Sequence, residues 1–293
     1  MKYHKTVLLK ETIENLEVKE GAKYIDATLG DAGHTLEILK KGGIVLGIEI
    51  NEEALNRAKE RIEKEGLLEN FTGVLGNFKD IEELTKENGF GQVNGIVYDL
   101  GYSSYELEES GIGLSFSADE PLDMRLDSTL GVTAADLLNS LNEKDISNLI
   151  FRYSDERMAK KFAKAIVEAR NLKKIQTTGD LVEIIKSVSS PGYERGRINP
   201  ATRTFQALRI VVNDEIENLK KSLPQAARLL LPGSVIITIT FHSLEDKVAK
   251  EFGHRARPSV EEVYKKPITP SGKEVCENQS SRSAKLRVFK KNG

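Results

Sequence analysis

YIDATLGDAGHT, from Tyr24 to Thr35, runs a β-favouring segment into an acid, Asp26, then into glycines at Gly30 and Gly33 and an apolar-periodic stretch opening near His34. That order reads as strand, tight turn and helix N-terminus. A second apolar run, GIVLGIEI, carries Glu49 near its end, 19 residues after Gly30. An acid closing a second strand at that distance meets ribose hydroxyls in nucleotide-binding α/β folds, while the glycines let backbone approach the ligand. The spacing Gly30, Asp31, Ala32, Gly33 is not GxGxxG. It suits S-adenosylmethionine better than a dinucleotide pyrophosphate.

Outward from this unit, strands at residues 24–28, 44–50, 71–75 and 95–100 alternate with helices at 34–40, 52–64 and 80–87. Such alternation predicts an α/β fold, because parallel neighbours need crossover connections. Ligands of parallel sheets sit beyond the carboxyl ends of the strands, which groups Asp26, Glu49, Asn77, Phe78 and Asp99 around one crevice. Each has a plainer reading: Glu49 as a solvated strand-end acid, Phe78 as a core aromatic. From about Ser104 to Val211 no strand pattern is convincing, and helical periodicity takes over after a Gly-, Pro-, Ser- and Asp-rich loop. The expected division is residues 1–103 with 212–293 as a discontinuous sheet domain, and 104–211 as a helical insertion. Thr177 and Asp180 predict a capping box; Asn199 and Pro200 predict a further helix start. SVIITITF at 234–241 reads as a strand buried on both faces, and SAKLRVFK at 283–290 as a last, basic strand. Between them, 258–273 reads as polar and turn-rich, and Ser243 with Asp246 as a helix cap.

The composition, 39% hydrophobic and 30% charged over 293 residues, is that of a globular protein. No apolar run approaches the ~18 residues of a membrane span, and the N-terminus lacks a signal-peptide pattern. The expectation is a cytoplasmic protein without membrane association. A single cysteine, Cys276, excludes an internal disulfide and a zinc site built on several cysteines. The net charge of −2 divides into −8 over residues 1–254 and +6 over 255–293. A basic tail on an acidic body is one form of nucleic-acid footprint, and equally the composition of a solvated terminus. Arg195, Arg197, Arg203 and Arg209 lie in a stretch without an acid, a second candidate for phosphate contact. His242, Ser243 and Asp246 are too close in sequence for hydrolase geometry, and no GxSxG is present.

Several strings together resemble the bacterial small-subunit ribosomal RNA methyltransferase H family, also called MraW. They are HKTVLLKE from His4, DATLGDAGHT from Asp26, Asn77-Phe78, DLGYSS from Asp99, PLDMRLD from Pro121, NPATRTFQALRIVVNDE from Asn199, FHSLEDK from Phe241 and SRSAKLR from Ser281. The resemblance implies a Rossmann-like class I methyltransferase sheet with an inserted all-helical, substrate-recognition domain. It also implies methylation of the 4-amino group of a cytidine in the decoding region of 16S rRNA, with S-adenosylmethionine as cofactor and no metal. The partner would be 16S rRNA or the small ribosomal subunit, and a homodimer stays open. Cofactor contacts would come from Asp26, Gly30, Ala32, Gly33, His34, Glu49, Asn77, Phe78, Asp99 and Glu106. Asp99, Tyr102 and His242 would stand nearest the chemistry, and Arg195, Arg197, Arg203, Arg209, Arg282, Lys285 and Arg287 would contact RNA.

The chain departs from the family pattern at Ala32, where a glycine is usual, and at Glu106, where a glutamine is usual. It also has Gln279 and Ser280 in place of Pro-Arg. An alanine at 32 is expected to require ordinary backbone angles. Two rival readings are a non-catalytic RNA-binding or ribosome-assembly factor and, from the residues alone, a nucleotide-cofactor oxidoreductase.

Overall fold

A computed structural model describes residue 3 and residues 5–102, 110–190, 192–196 and 198–293, without the side chains of 194 and 195. The chain divides into two compact units, residues 1–103 with 216–293, and residues 104–215.

The first unit is built on seven strands: β1 (Lys23–Asp26), β2 (Ile44–Glu49), β3 (Phe71–Leu75), β4 (Val93–Asp99), β5 (Leu230–Thr240), β6 (Val260–Glu262) and β7 (Lys285–Lys291). Their order is β3-β2-β1-β4-β5-β7-β6. The first five run parallel, and β7 is antiparallel to both β5 and β6. Helices α2 (Gly33–Lys40), α3 (Glu52–Lys64) and α4 (Ile81–Glu87) connect the parallel strands, and α1 (Leu9–Leu16) precedes β1. Tyr24, Ile25, Leu46, Ile96 and Ile236 are buried. Each contributes on the order of 1.5–3 kcal/mol by leaving water. From Ser234 to Thr240 every residue of β5 is buried, as its β-branched run predicts. Strand β6 lies in the stretch whose composition reads as turn-rich. It is three residues long and carries two glutamates, so no alternation marks it.

The second unit is helical: Ala134–Ser140, Glu143–Ser154, Ala159–Leu172, Thr178–Val188 and Thr202–Val212, with a 3-10 turn at Tyr193–Gly196. Ile146, Ile150, Phe162, Ile166, Ile185 and Leu208 are fully buried. Thr177 and Asp180 form the expected capping box. Asn199 caps earlier than its helix: its side chain accepts from Ala201 N at 3.0 Å, ahead of the first helical residue, Thr202.

Candidate active site

Asp26, Glu49 and Asp99 are the last residues of β1, β2 and β4, which lie side by side. All three face the carboxyl edge of the sheet, where the turn 27–32 leads into α2. Asp26 is enclosed, accepting from Thr35 Oγ1 at 2.7 Å and Thr28 N at 3.3 Å. Burial pushes its carboxyl up to about 6, against the opposing pull of His34 and those two hydrogen bonds. Thr28 Oγ1 in turn accepts from Asp99 N at 2.6 Å, tying the ends of β1 and β4 together.

Glu49 accepts from Gly30 N and from Asn51 N, each at 2.9 Å, one on each carboxylate oxygen. The strand-end acid therefore fixes the glycine turn. Gly30 has φ +47°, and no atom lies within 4 Å of where a Cβ would stand. Gly33 is different: a Cβ there would meet Thr6 Oγ1 at 1.7 Å. Ala32 corrects the expectation of ordinary angles, since it sits at φ 59°, ψ 31° as the N-cap of α2. The left-handed conformation follows from its place. Its N–H closes a turn onto Leu29 O at 2.8 Å and its methyl is fully buried.

His34 is 3% exposed, with Nε2 3.3 Å from Asp99 Oδ2. Neither ring nitrogen makes a hydrogen bond within the described residues, and nor does buried Asp99 Oδ1. A buried polar atom without a partner is costly, which makes these three atoms candidates for contact with a ligand. Past β3, Asn77 accepts from Lys79 N at 2.9 Å, which leaves its amide N–H groups for a ligand edge. Phe78 is half-buried and meets Tyr98 edge-on, at 5.8 Å between centroids. Tyr98 is held by Ser222 at 2.6 Å, and Ser222 also donates to Phe78 O at 2.7 Å. Tyr102, shortly beyond β4, is half-buried.

His242 follows β5 and corrects the expected cap. It is His242, not Ser243, that caps the Ser243–Arg255 helix, with Nδ1 accepting from Glu245 N at 3.4 Å and Glu245 Oε2 accepting in turn from His242 N at 3.3 Å. Asp246 turns instead to Lys285 at 3.0 Å and Arg287 at 2.8 Å. Arg287 is 6% exposed and also binds Glu262 at 2.5 Å, so its charge is spent inside the sheet rather than presented to RNA. Arg282 is exposed. In the helical unit, Arg209 is bidentate to Glu215 at 2.9 and 3.2 Å, and Arg203 approaches buried Glu156 at 3.8 Å. Glu106, Arg197 and the side chain of Arg195 lie outside the described residues.

Residue types alone did not single out Thr28 and Thr35, which join Asp26 to its neighbours, or Arg57. Arg57 pairs with Asp31 at 3.2 Å, while Arg61 donates to Asp31 O at 2.5 Å. Arginines four apart on α3, opposite an acid in the glycine turn, were the available signal.

A parallel sheet in this order with an antiparallel β7, a glycine turn and an acid closing β2 define a class I S-adenosylmethionine-dependent methyltransferase. The chain belongs to the MraW methylase family, which it matches over residues 1–292. Proteins named ribosomal RNA small subunit methyltransferase H are similar to it over nearly their whole length. That of Dictyoglomus turgidum is 43% identical over 97% of this chain and 96% of its own. That of Sulfurihydrogenibium sp. is 41% identical over 97% and 98%, and that of Brevibacillus brevis 38% identical over 99% and 98%.

Proposed function

We propose that this chain methylates the exocyclic 4-amino group of a cytidine in small-subunit ribosomal RNA. As a member of the MraW methylase family with relatives named for that RNA, it is an S-adenosylmethionine-dependent rRNA methyltransferase. The observation that carries the amino-group reading is the buried, unpartnered Asp99 Oδ1 at the end of β4, with the His34 imidazole on its other oxygen. No helix among the described residues is long and apolar enough to cross a membrane. An rRNA substrate puts the reaction in the cytoplasm.

S-adenosylmethionine supplies an electrophilic methyl on a sulfonium centre. The residues fit it: the open space before Gly30, the α2 N-terminus for its carboxylate, Glu49 for the ribose hydroxyls, Asn77 and Phe78 for adenine. The cytosine amino lone pair is delocalised into the ring, so the nitrogen must become more tetrahedral to attack. Asp99 accepts one N–H, favouring that geometry, and takes the proton released as the N–C bond forms and the S–C bond breaks. The His34 imidazole stands against the other Asp99 oxygen, 3.3 Å away. Positioning of well-oriented reactants can recover about 7–11 kcal/mol of a barrier. Tyr102 and His242, beyond the carboxyl ends of β4 and β5, border the base, and the helical unit positions the RNA.

The test is transfer of labelled methyl from S-adenosylmethionine to small subunits from cells lacking this gene, followed by nucleoside analysis. Label in 4-methylcytidine is expected. Label in another nucleoside, or none, overturns the reading.

A further inference from the structure

The helices Glu143–Ser154 and Ala159–Leu172 of the helical unit pack on one another and are joined by the short turn 155–158. The turn end of this pair is cationic. Arg157, Lys160, Lys161 and Lys164 recur at helical spacing and are all exposed, while Ala159, Phe162, Ala163 and Ile166 form the buried complement. Among the described residues, no carboxylate lies within 4.0 Å of Arg157, Lys160 or Lys161. Residues 151–164 hold five cations against two acids, in a body that is −8 over residues 1–254. One of those acids, Glu156, is turned inward at 1% exposure. It accepts from Met158 N at 2.7 Å and from Tyr193 Oη, with Arg203 at 3.8 Å. The inward glutamate thus removes a negative charge from the surface and ties the turn to the segments that carry Arg195 and Arg203.

An aromatic stands beside the cations. Phe151, in the last turn of its helix, is 57% exposed, so more than half of its side chain faces solvent. Arg152 next to it is exposed and lies 5.5 Å from the centroid of the Tyr153 ring. Cations that follow a phosphate chain, with one exposed ring on which a base stacks, are the elements of single-strand recognition. The cores of protein–protein interfaces are depleted in charged residues, lysine among them, so one ring amid five cations fits a nucleic acid better than a protein partner.

We propose that Phe151, Arg152, Arg157, Lys160 and Lys161 form a docking surface for the substrate RNA, the cations on its phosphates and Phe151 under an unpaired base. This inference rests on the rRNA reading above for its ligand.

The experiment measures binding of the full-length chain to a small-subunit rRNA fragment across a salt series, for wild type, Lys160→Gln/Lys161→Gln and Phe151→Ala. S-adenosylmethionine affinity and methyl transfer are measured alongside. The double variant is expected to lower the salt slope by about 1.4–1.8, at roughly 0.7–0.9 for each phosphate no longer neutralised, with cofactor affinity unchanged. Phe151→Ala is expected to weaken binding roughly tenfold at every salt concentration without changing the slope. Wild-type affinity and slope in both variants overturn the surface. So does Phe151→Ala altering only sedimentation, which would assign the ring to contact with another protein chain. Failure of the wild type to transfer methyl to bound RNA overturns the functional reading instead, and leaves the docking surface to the binding data.

Discussion

Nε2 of His34 stands 3.3 Å from Oδ2 of Asp99, which brings the first turn of α2 against the end of β4. The other Asp99 oxygen is buried and unpartnered within the described residues. One oxygen thereby faces a protein imidazole and the other is left for an incoming donor. Asp99→Asn keeps the shape and loses the charge that receives the proton. It is expected to lower kcat by about 10²–10⁴, with S-adenosylmethionine affinity changed far less. His34→Ala should lower kcat by a smaller factor by removing the ring that stands against the carboxylate. Single-turnover methyl transfer measures both, and wild-type turnover in Asp99→Asn removes Asp99 from the mechanism.

Asp26 lies behind this pair and carries an opposite cost. Burial raises its folded pKa to about 6 from an ordinary 3.8, so folding favours the neutral acid. Its contribution to stability is full below pH ~4, declines as pH rises through ~6 and is absent above, a difference of about 3 kcal/mol. Asp26→Asn can keep the bonds with Thr28 and Thr35 while removing the charge. It is expected to raise Tm at pH 7–8 and to flatten the wild-type fall between pH 4 and 6. Parallel Tm curves for the two proteins would mean that Asp26 is ionised at no such cost.

The parallel sheet and its crevice were legible because β2, β3 and α3 announce themselves locally, by β-branched runs and by 3.6-residue periodicity. What escaped depends on partners distant in sequence. An alanine gives no sign that it occupies a left-handed N-cap, as Ala32 does at φ 59°. A basic strand looks like a nucleic-acid tail until Arg287 meets Glu262, on a three-residue strand without alternation, and Asp246, on a helix. His242 as a cap was hidden behind Ser243, a commoner capping residue.

Gly33 is fixed by space rather than by backbone angle. A Cβ there would lie 1.7 Å from Thr6 Oγ1 and 2.9 Å from Thr6 Cβ. Gly33→Ala is expected to cost about 1–3 kcal/mol as overpacking and to weaken cofactor binding by displacing the turn. Adding Thr6→Ala removes the closer clash and should recover part of both losses. Urea unfolding and cofactor titration of the two variants read this directly; no recovery in the double variant would place the strain elsewhere.

Arg287 separates a structural cation from an RNA contact. It sits at 6% exposure between Asp246 and Glu262, whose side chains are 15% and 14% exposed. Arg287→Ala leaves two largely buried carboxylates without their common cation and is expected to destabilise the fold by about 3–5 kcal/mol. Burial alone would raise the Asp246 carboxyl, but hydrogen bonds and charge from Arg287 and Lys285 bring it below its ordinary value. Its stabilising contribution is therefore present above that ordinary value and lost as pH falls through the depressed one, opposite in sign to Asp26. Arg287→Ala should remove much of this acid sensitivity along with the stability. Arg282, exposed on the preceding 3-10 turn, is expected to behave in the reverse manner. Arg282→Ala should lower the salt slope of RNA binding by about 0.7–0.9 while leaving urea unfolding unchanged. If Arg287→Ala instead unfolds like wild type and loses RNA affinity, its charge serves the ligand and not the sheet.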